Sequence, residues 1–188
     1  STPYNSLLLF HGLGTGKTCS GIAICEDYRK NEFTKYRKII IIATPNVQKN
    51  FKKQLFDHTK LKQIDGIWVL NTCVGNSLLH EVNPLQHKGI PKEEIIKNIN
   101  GIINKHYEFF GYSAFSNTIA NLKKKINKNG KVNDELINKE IKRIYSERLI
   151  VIDEVHNIRK TKHLKVVGKV KKVLVKSFVE NFIRIIKN

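Results

Sequence analysis

Eight consecutive residues near the start of the chain carry the first recognisable chemistry: His11-Gly12-Leu13-Gly14-Thr15-Gly16-Lys17-Thr18. They fall between a short apolar run, Leu7 to Phe10, and a stretch from Thr18 to Arg29 that offers Ile22, Ala23, Cys25 and Glu26 at helical spacing. Strand, glycine-rich turn and helix in that order make a phosphate loop. Gly14 and Gly16 let backbone N–H groups turn inward around phosphate oxygens, and the helix beginning near Lys17 aims the positive end of its dipole at the same place. Lys17 would reach the β- and γ-phosphates and the Thr18 hydroxyl would ligate Mg²⁺, with Gly12 and Thr15 in the same cradle. The strict G-x-x-x-x-G-K-[ST] spacing asks for glycine where His11 stands, and Gly12 comes one residue late. A mere glycine turn followed by lysine is the plainer alternative, and the flanking strand and helix weigh against it.

The second group follows another apolar run, Leu149 to Ile152, and reads Asp153-Glu154-Val155-His156. A carboxylate at the carboxyl end of a buried strand lies where open α/β sheets bind ligands, so Asp153 would sit beside the phosphate loop and hold the hydrated Mg²⁺. Glu154 would orient, or take a proton from, the water that attacks the γ-phosphorus. Alone, such a pair is as often a helix cap. Its coupling to an upstream phosphate loop makes it specific.

Short strands alternating with amphipathic helices must position these groups, which is an α/β signature. Ile39 to Ala43 is a β-branched run stopped by Thr44 and Pro45, after which Val47, Phe51, Leu55 and Phe56 fall on one helical face. Ile67 to Leu70 is a third strand, entered through Asp65 and Gly66. Pro91 suits a first helical residue, Glu93 and Glu94 favour the dipole there, and Ile95, Ile96, Ile99, Ile102 and Ile103 supply the apolar face. Tyr107 to Tyr112 predicts a fourth strand, Ala114 to Lys125 a helix, Asn127 to Lys131 a surface insertion, and Asn133 onward a further helix. Leu149 to Ile152 is the fifth strand. The pattern wants a parallel sheet covered on both faces.

With 188 residues, 40% of them hydrophobic, the chain is long enough for one domain with its own core. Its longest apolar run, Ile39 to Ala43, is far short of the ~20 residues of a membrane span. No signal-peptide pattern opens it, so the expectation is a soluble, intracellular protein without a membrane partner. Cys19, Cys25 and Cys73 show no metal-ligand spacing and are expected as reduced thiols. A formal charge of +18 favours a polyanionic partner; the plainer alternative, in a chain crowded with Ile, Asn and Lys, is that many of these lysines are only a solvated face.

Taken together, these residues resemble superfamily 2 helicases and translocases, whose ATPase motif Asp-Glu-x-His is matched by Asp153-Glu154-Val155-His156. Thr44-Pro45-Asn46 is similar to the superfamily's nucleic-acid-contacting motif; its plainer alternative is a strand terminator. The stretches Leu7 to Thr18 and Asp153 to Arg159 look closest to the helicase-like ATPases of large DNA viruses, of the poxvirus early transcription factor and nucleoside triphosphatase I type, where the His11-Gly12 variation is usual. The resemblance covers about Tyr4 to Lys160.

The resemblance implies a RecA-like P-loop NTPase lobe over residues 1–160 and a basic helical tail over 161–188. ATP and Mg²⁺ would be bound through Gly14, Gly16, Lys17, Thr18 and Asp153, Glu154 would handle the water, and His156 would relay the nucleotide state. Thr44 and Pro45 would lie near a nucleic-acid backbone, DNA in preference to RNA. It implies an ATP-driven helicase or translocase, in the virion or the infected-cell cytoplasm. The alternatives are a transcription-associated viral NTPase that unwinds nothing and a phosphate-binding module that has lost hydrolysis. No Ser-Ala-Thr motif follows His156, so the domain reads as truncated before a second RecA-like lobe. That lobe would deliver arginine fingers, and the chain alone would then hydrolyse ATP slowly.

Overall fold

The computed structural model describes residues 7–9, 14–31, 37–126 and 134–153. At its centre is a parallel sheet of three strands: β1 (Ile39–Ile42) in the middle, β4 (Tyr107–Phe110) on one side and β5 (Ile150–Ile152) on the other. Ile41 pairs with Phe109 and with Val151, which brings the three carboxyl ends level. All four isoleucines of β1 are buried, as a central strand covered on both faces requires. Because side chains alternate, Ile39 and Ile41 enter one core and Ile40 and Ile42 the other.

The first core is roofed by α1 (Lys17–Lys30), α2 (Pro45–Leu55), α3 (Ser77–Val82) and α4 (Lys92–His106), which contribute Ile22, Phe51, Leu78 and Ile99. The second is roofed by α5 (Tyr112–Ile126) and α6 (Asp134–Tyr145), through Phe115, Ile119, Ile137 and Ile141. Helices on both faces of a parallel sheet are the α/β architecture that the alternating pattern predicts. Among the described residues no helix is long and apolar enough to cross a membrane.

Three predictions need correction. Leu7 to Leu9 form no strand, and Leu7 and Leu8 are 73% and 72% exposed. A β-prone run becomes a strand only where a neighbour offers a ladder, and the described strands pair with one another instead. Ile67–Leu70, here β3, is not in the parallel sheet. It pairs antiparallel with β2 (Leu61–Ile64) across Asp65 and Gly66, whose φ of 51° and 82° are the left-handed values of a tight hairpin turn. The third concerns the cysteines. Cys19 and Cys73 are joined as a disulfide with their Cα atoms 5.2 Å apart, because the loop after β3 folds against the first turn of α1. Cys25 remains a buried free thiol, pushed up to about 12 by burial and then by the charge of Glu26. The predicted insertion at 127–131 and the basic tail at 161–188 lie outside the described residues.

Candidate functional site

The start of α1 has the local features of an anion cradle. Gly14 and Gly16 hold φ of 76° and 86°, a conformation that side chains resist. A Cβ on either would meet nothing within 4 Å, so backbone conformation, not crowding, calls for glycine there. Gly16 caps the helix, and its carbonyl accepts from the Ser20 amide at 3.0 Å. The first turn of α1 holds no acidic residue while its last turn holds Arg29 and Lys30, so the positive end of the helix dipole has no carboxylate to neutralise it. Thr15 and Lys17 are exposed and Thr18 half-buried.

What aims this helix is a buried polar cluster that sequence reasoning missed. Arg29 donates to both carboxylate oxygens of Glu26, at 3.0 and 2.6 Å, and to those of Glu81 on α3, at 2.9 and 2.8 Å. The Tyr107 hydroxyl, at the opening of β4, donates to Glu26 at 2.6 Å. Burial alone would lower the Arg29 pKa, but its hydrogen bonds to Glu81 and Glu26 carry it upward. The Tyr107 hydroxyl is pushed up by burial and by the Glu26 charge. On the same last turns, the Tyr28 hydroxyl donates to the Glu147 carbonyl, just ahead of β5. The end of α1 is thus tied to the amino ends of β4 and β5, while Cys19 in its first turn is bonded to Cys73, whose amide donates to the Gln54 carbonyl near the end of α2 at 3.2 Å. Acidic and basic residues three apart on a helix were the available signal, but they usually mean an exposed pair.

At the carboxyl ends of β1 and β5 stand Thr44 and Asp153. The Asp153 amide donates to the Ile42 carbonyl at 3.1 Å, and the Asp153 carbonyl accepts from the Tyr112 hydroxyl. Ala43 is held likewise: its amide donates to Phe110 at 3.0 Å and its carbonyl accepts from Gln48 Nε2 at 2.8 Å. Thr44 is exposed, extended, and makes no side-chain cap bond, while Pro45 opens α2 with its fixed φ. With Ile42 opposite Ile152, Asp153 leaves β5 level with Ala43, one residue before Thr44. Gly12, Glu154 and His156 lie outside the described residues. Among the described residues no three metal-ligating side chains cluster.

The described residues form an α/β domain whose first helix opens on a glycine cap and whose sheet is parallel. The chain is similar to "Putative ATP-dependent RNA helicase R563" of Acanthamoeba polyphaga mimivirus, 26% identical over 162 residues, which cover 84% of this chain and 22% of that protein. It is likewise similar to "Putative helicase 087L" of Invertebrate iridescent virus 3, 26% identical over 167 residues, covering 84% of this chain and 14% of the relative. "Putative ATP-dependent RNA helicase L377" of the mimivirus is 29% identical over 178 residues, again 84% of this chain and 14% of the relative. The chain therefore resembles helicase-like proteins of large DNA viruses, and spans about a fifth or less of the length of the relatives it matches. No protein-family profile matches it. No solved structure matches it either.

Proposed function

We propose that residues 1–160 are the ATP-binding lobe of a RecA-like helicase or translocase, in which ATP hydrolysis is coupled to movement along nucleic acid. The observation that carries this reading is Asp153 at the carboxyl end of β5, level with Ala43 and one residue short of Thr44 on the neighbouring strand, in a chain whose α1 opens on a glycine cap. A nucleic-acid contact and a nucleotide site so arranged share a strand register, and a shift in one is felt by the other.

In this reading, the amides around Gly14 and Gly16 bind phosphate oxygens and Lys17 neutralises the β- and γ-phosphates. The Thr18 hydroxyl and the Asp153 carboxylate are hard oxygen donors of the kind that suits Mg²⁺, two protein ligands with the rest left to phosphate and water. A Mg²⁺ ion held by Thr18 and Asp153 would supply positive charge that offsets the charge on the phosphate oxygens. Glu154 orients the attacking water and takes its proton, so that water adds to the γ-phosphorus as ADP departs. His156 relays the nucleotide state, and Thr44 and Pro45 contact the sugar-phosphate backbone, which positions a strand without reading its sequence. Two of the relatives' names specify RNA, the resemblance to viral ATPases suggested DNA, and either backbone fits such contacts.

The test is coupling. Affinity for Mg·ATP, measured with and without a saturating oligonucleotide, should differ by about 5- to 150-fold, the usual range for linked sites. Identical affinities would leave a phosphate-binding module in place of a motor lobe.

A further inference from the structure

Beside the start of α1 lies a cleft of about 670 Å³ that no part of the ATP chemistry uses. One wall is the Cys19–Cys73 bridge, with Cys19 only two residues after Lys17. Lys60 and Lys62, on either side of buried Leu61, also line it, as do Asn71 and Thr72. No carboxylate lines the cleft. Asp57, two residues before Thr59, is occupied by the Thr59 amide and hydroxyl, at 3.0 and 2.7 Å. Among the described residues neither Lys60 nor Lys62 enters an ion pair, although the chain elsewhere pairs its buried and half-buried arginines.

We infer that this cleft is a phosphodiester-binding site, taking the backbone of a single nucleic-acid strand at a place separate from Thr44 and Pro45. Lys60 ends the short helical turn His58–Lys60 and Lys62 lies in β2, so two ammonium groups on flexible stems line the same cleft and each can meet one phosphate. Neutral donors such as Asn71 and the Thr72 hydroxyl suit sugar and phosphate oxygens and carry no base code. The cleft's closeness to the cradle adds a consequence: a strand seated on Lys60 and Lys62 touches the helix turn that follows Lys17, one turn from the nucleotide. The inference deepens the helicase reading and rests on it.

The experiment is an anisotropy titration of a fluorescein-labelled twelve-nucleotide oligothymidylate, with the whole chain, from low to moderate salt. Three proteins are compared: wild type, Lys60→Ala/Lys62→Ala, and a control, Lys139→Ala/Lys142→Ala, on α6 at the other face of the sheet. Each single-strand phosphate contact contributes about −0.7 to the slope of log K against log salt, so the first pair should flatten the slope by about 1.4 and weaken binding about 25-fold near 0.1 M salt. The control should keep the wild-type slope. If wild type binds and Lys60→Ala/Lys62→Ala binds equally well, or if both pairs lose the same amount, the cleft is not the site. If wild type does not bind at all, both the cleft and the helicase reading fall, while Mg·ATP affinity still reports on the phosphate loop.

Discussion

Beneath α5 and α6 the sheet is closed by an apolar layer, with Phe115, Ile119, Ile137 and Ile141 no more than 2% exposed. The opposite face, beneath α1 to α4, contains the buried charges Glu26 and Arg29 and also carries the start of α1. Both faces bury β1, yet one is apolar at its centre, with the half-buried Arg148–Glu108 pair beside Tyr145, and the other holds a buried ion cluster with directional hydrogen bonds. Apolar packing holds a helix down but leaves its orientation loosely set. An Arg fork reaching two carboxylates fixes an angle, at a desolvation cost that hydrophobic replacement would avoid. The polar cluster thus sits where a helix must be aimed.

The comparison can be broken most forcefully on the apolar side. Phe115→Ala should cost about 4 kcal/mol of stability in denaturant unfolding, through lost burial and the cavity left behind. Nucleotide affinity of the protein that remains folded should not change. A loss of affinity with no loss of stability would reverse the roles of the two faces.

Next in size is Arg29→Ala, which strands Glu26 in the core and should cost about 3 kcal/mol. Unlike Phe115→Ala, it should also weaken Mg·ATP binding, since the end of α1 loses its anchor to α3. Stability within experimental error of wild type would show that the cluster orients nothing.

Smallest is Tyr107→Phe, which removes one hydrogen bond to a carboxylate and should cost about 1.5 kcal/mol near neutral pH. The same residue sets a pH dependence. Burial and Glu26 raise its hydroxyl above the ordinary value of 10.0, so the folded state favours the protonated form. That contribution is complete below pH 10 and drains away as pH rises beyond it. Tyr28 and Tyr145 are raised too, chiefly by burial, so in Tyr107→Phe the alkaline loss should shrink without vanishing. Unfolding curves at pH 9 and pH 11 for the two proteins would show it.

What the sequence made legible is what is local. Four isoleucines in a row announce a strand buried on both faces, and the isoleucines between Ile95 and Ile103 announce α4. Gly14 and Gly16 before Lys17 announce a helix start with left-handed backbone, and Thr44-Pro45 announces the opening of α2. What it hid depends on partners far along the chain. Leu61–Ile64 has no alternation of its own and becomes β2 only by pairing with Ile67–Leu70. Cys19 meets Cys73 across 54 residues, and Arg29 meets Glu81 across 52, neither at any motif spacing. Leu7 to Leu9 shows the converse error, a strand-like run that pairs with no described strand.

The central claim is that the turn before α1 cradles nucleotide phosphates, and the most direct measurement is calorimetric titration of Mg·ATP into wild type and Lys17→Ala. Lys17 is exposed at the first position of its helix, so the substitution should leave far-UV circular dichroism and thermal unfolding unchanged. The account predicts saturable binding by wild type and no measurable binding by Lys17→Ala. Equal affinity in the two proteins, both folded, would contradict it.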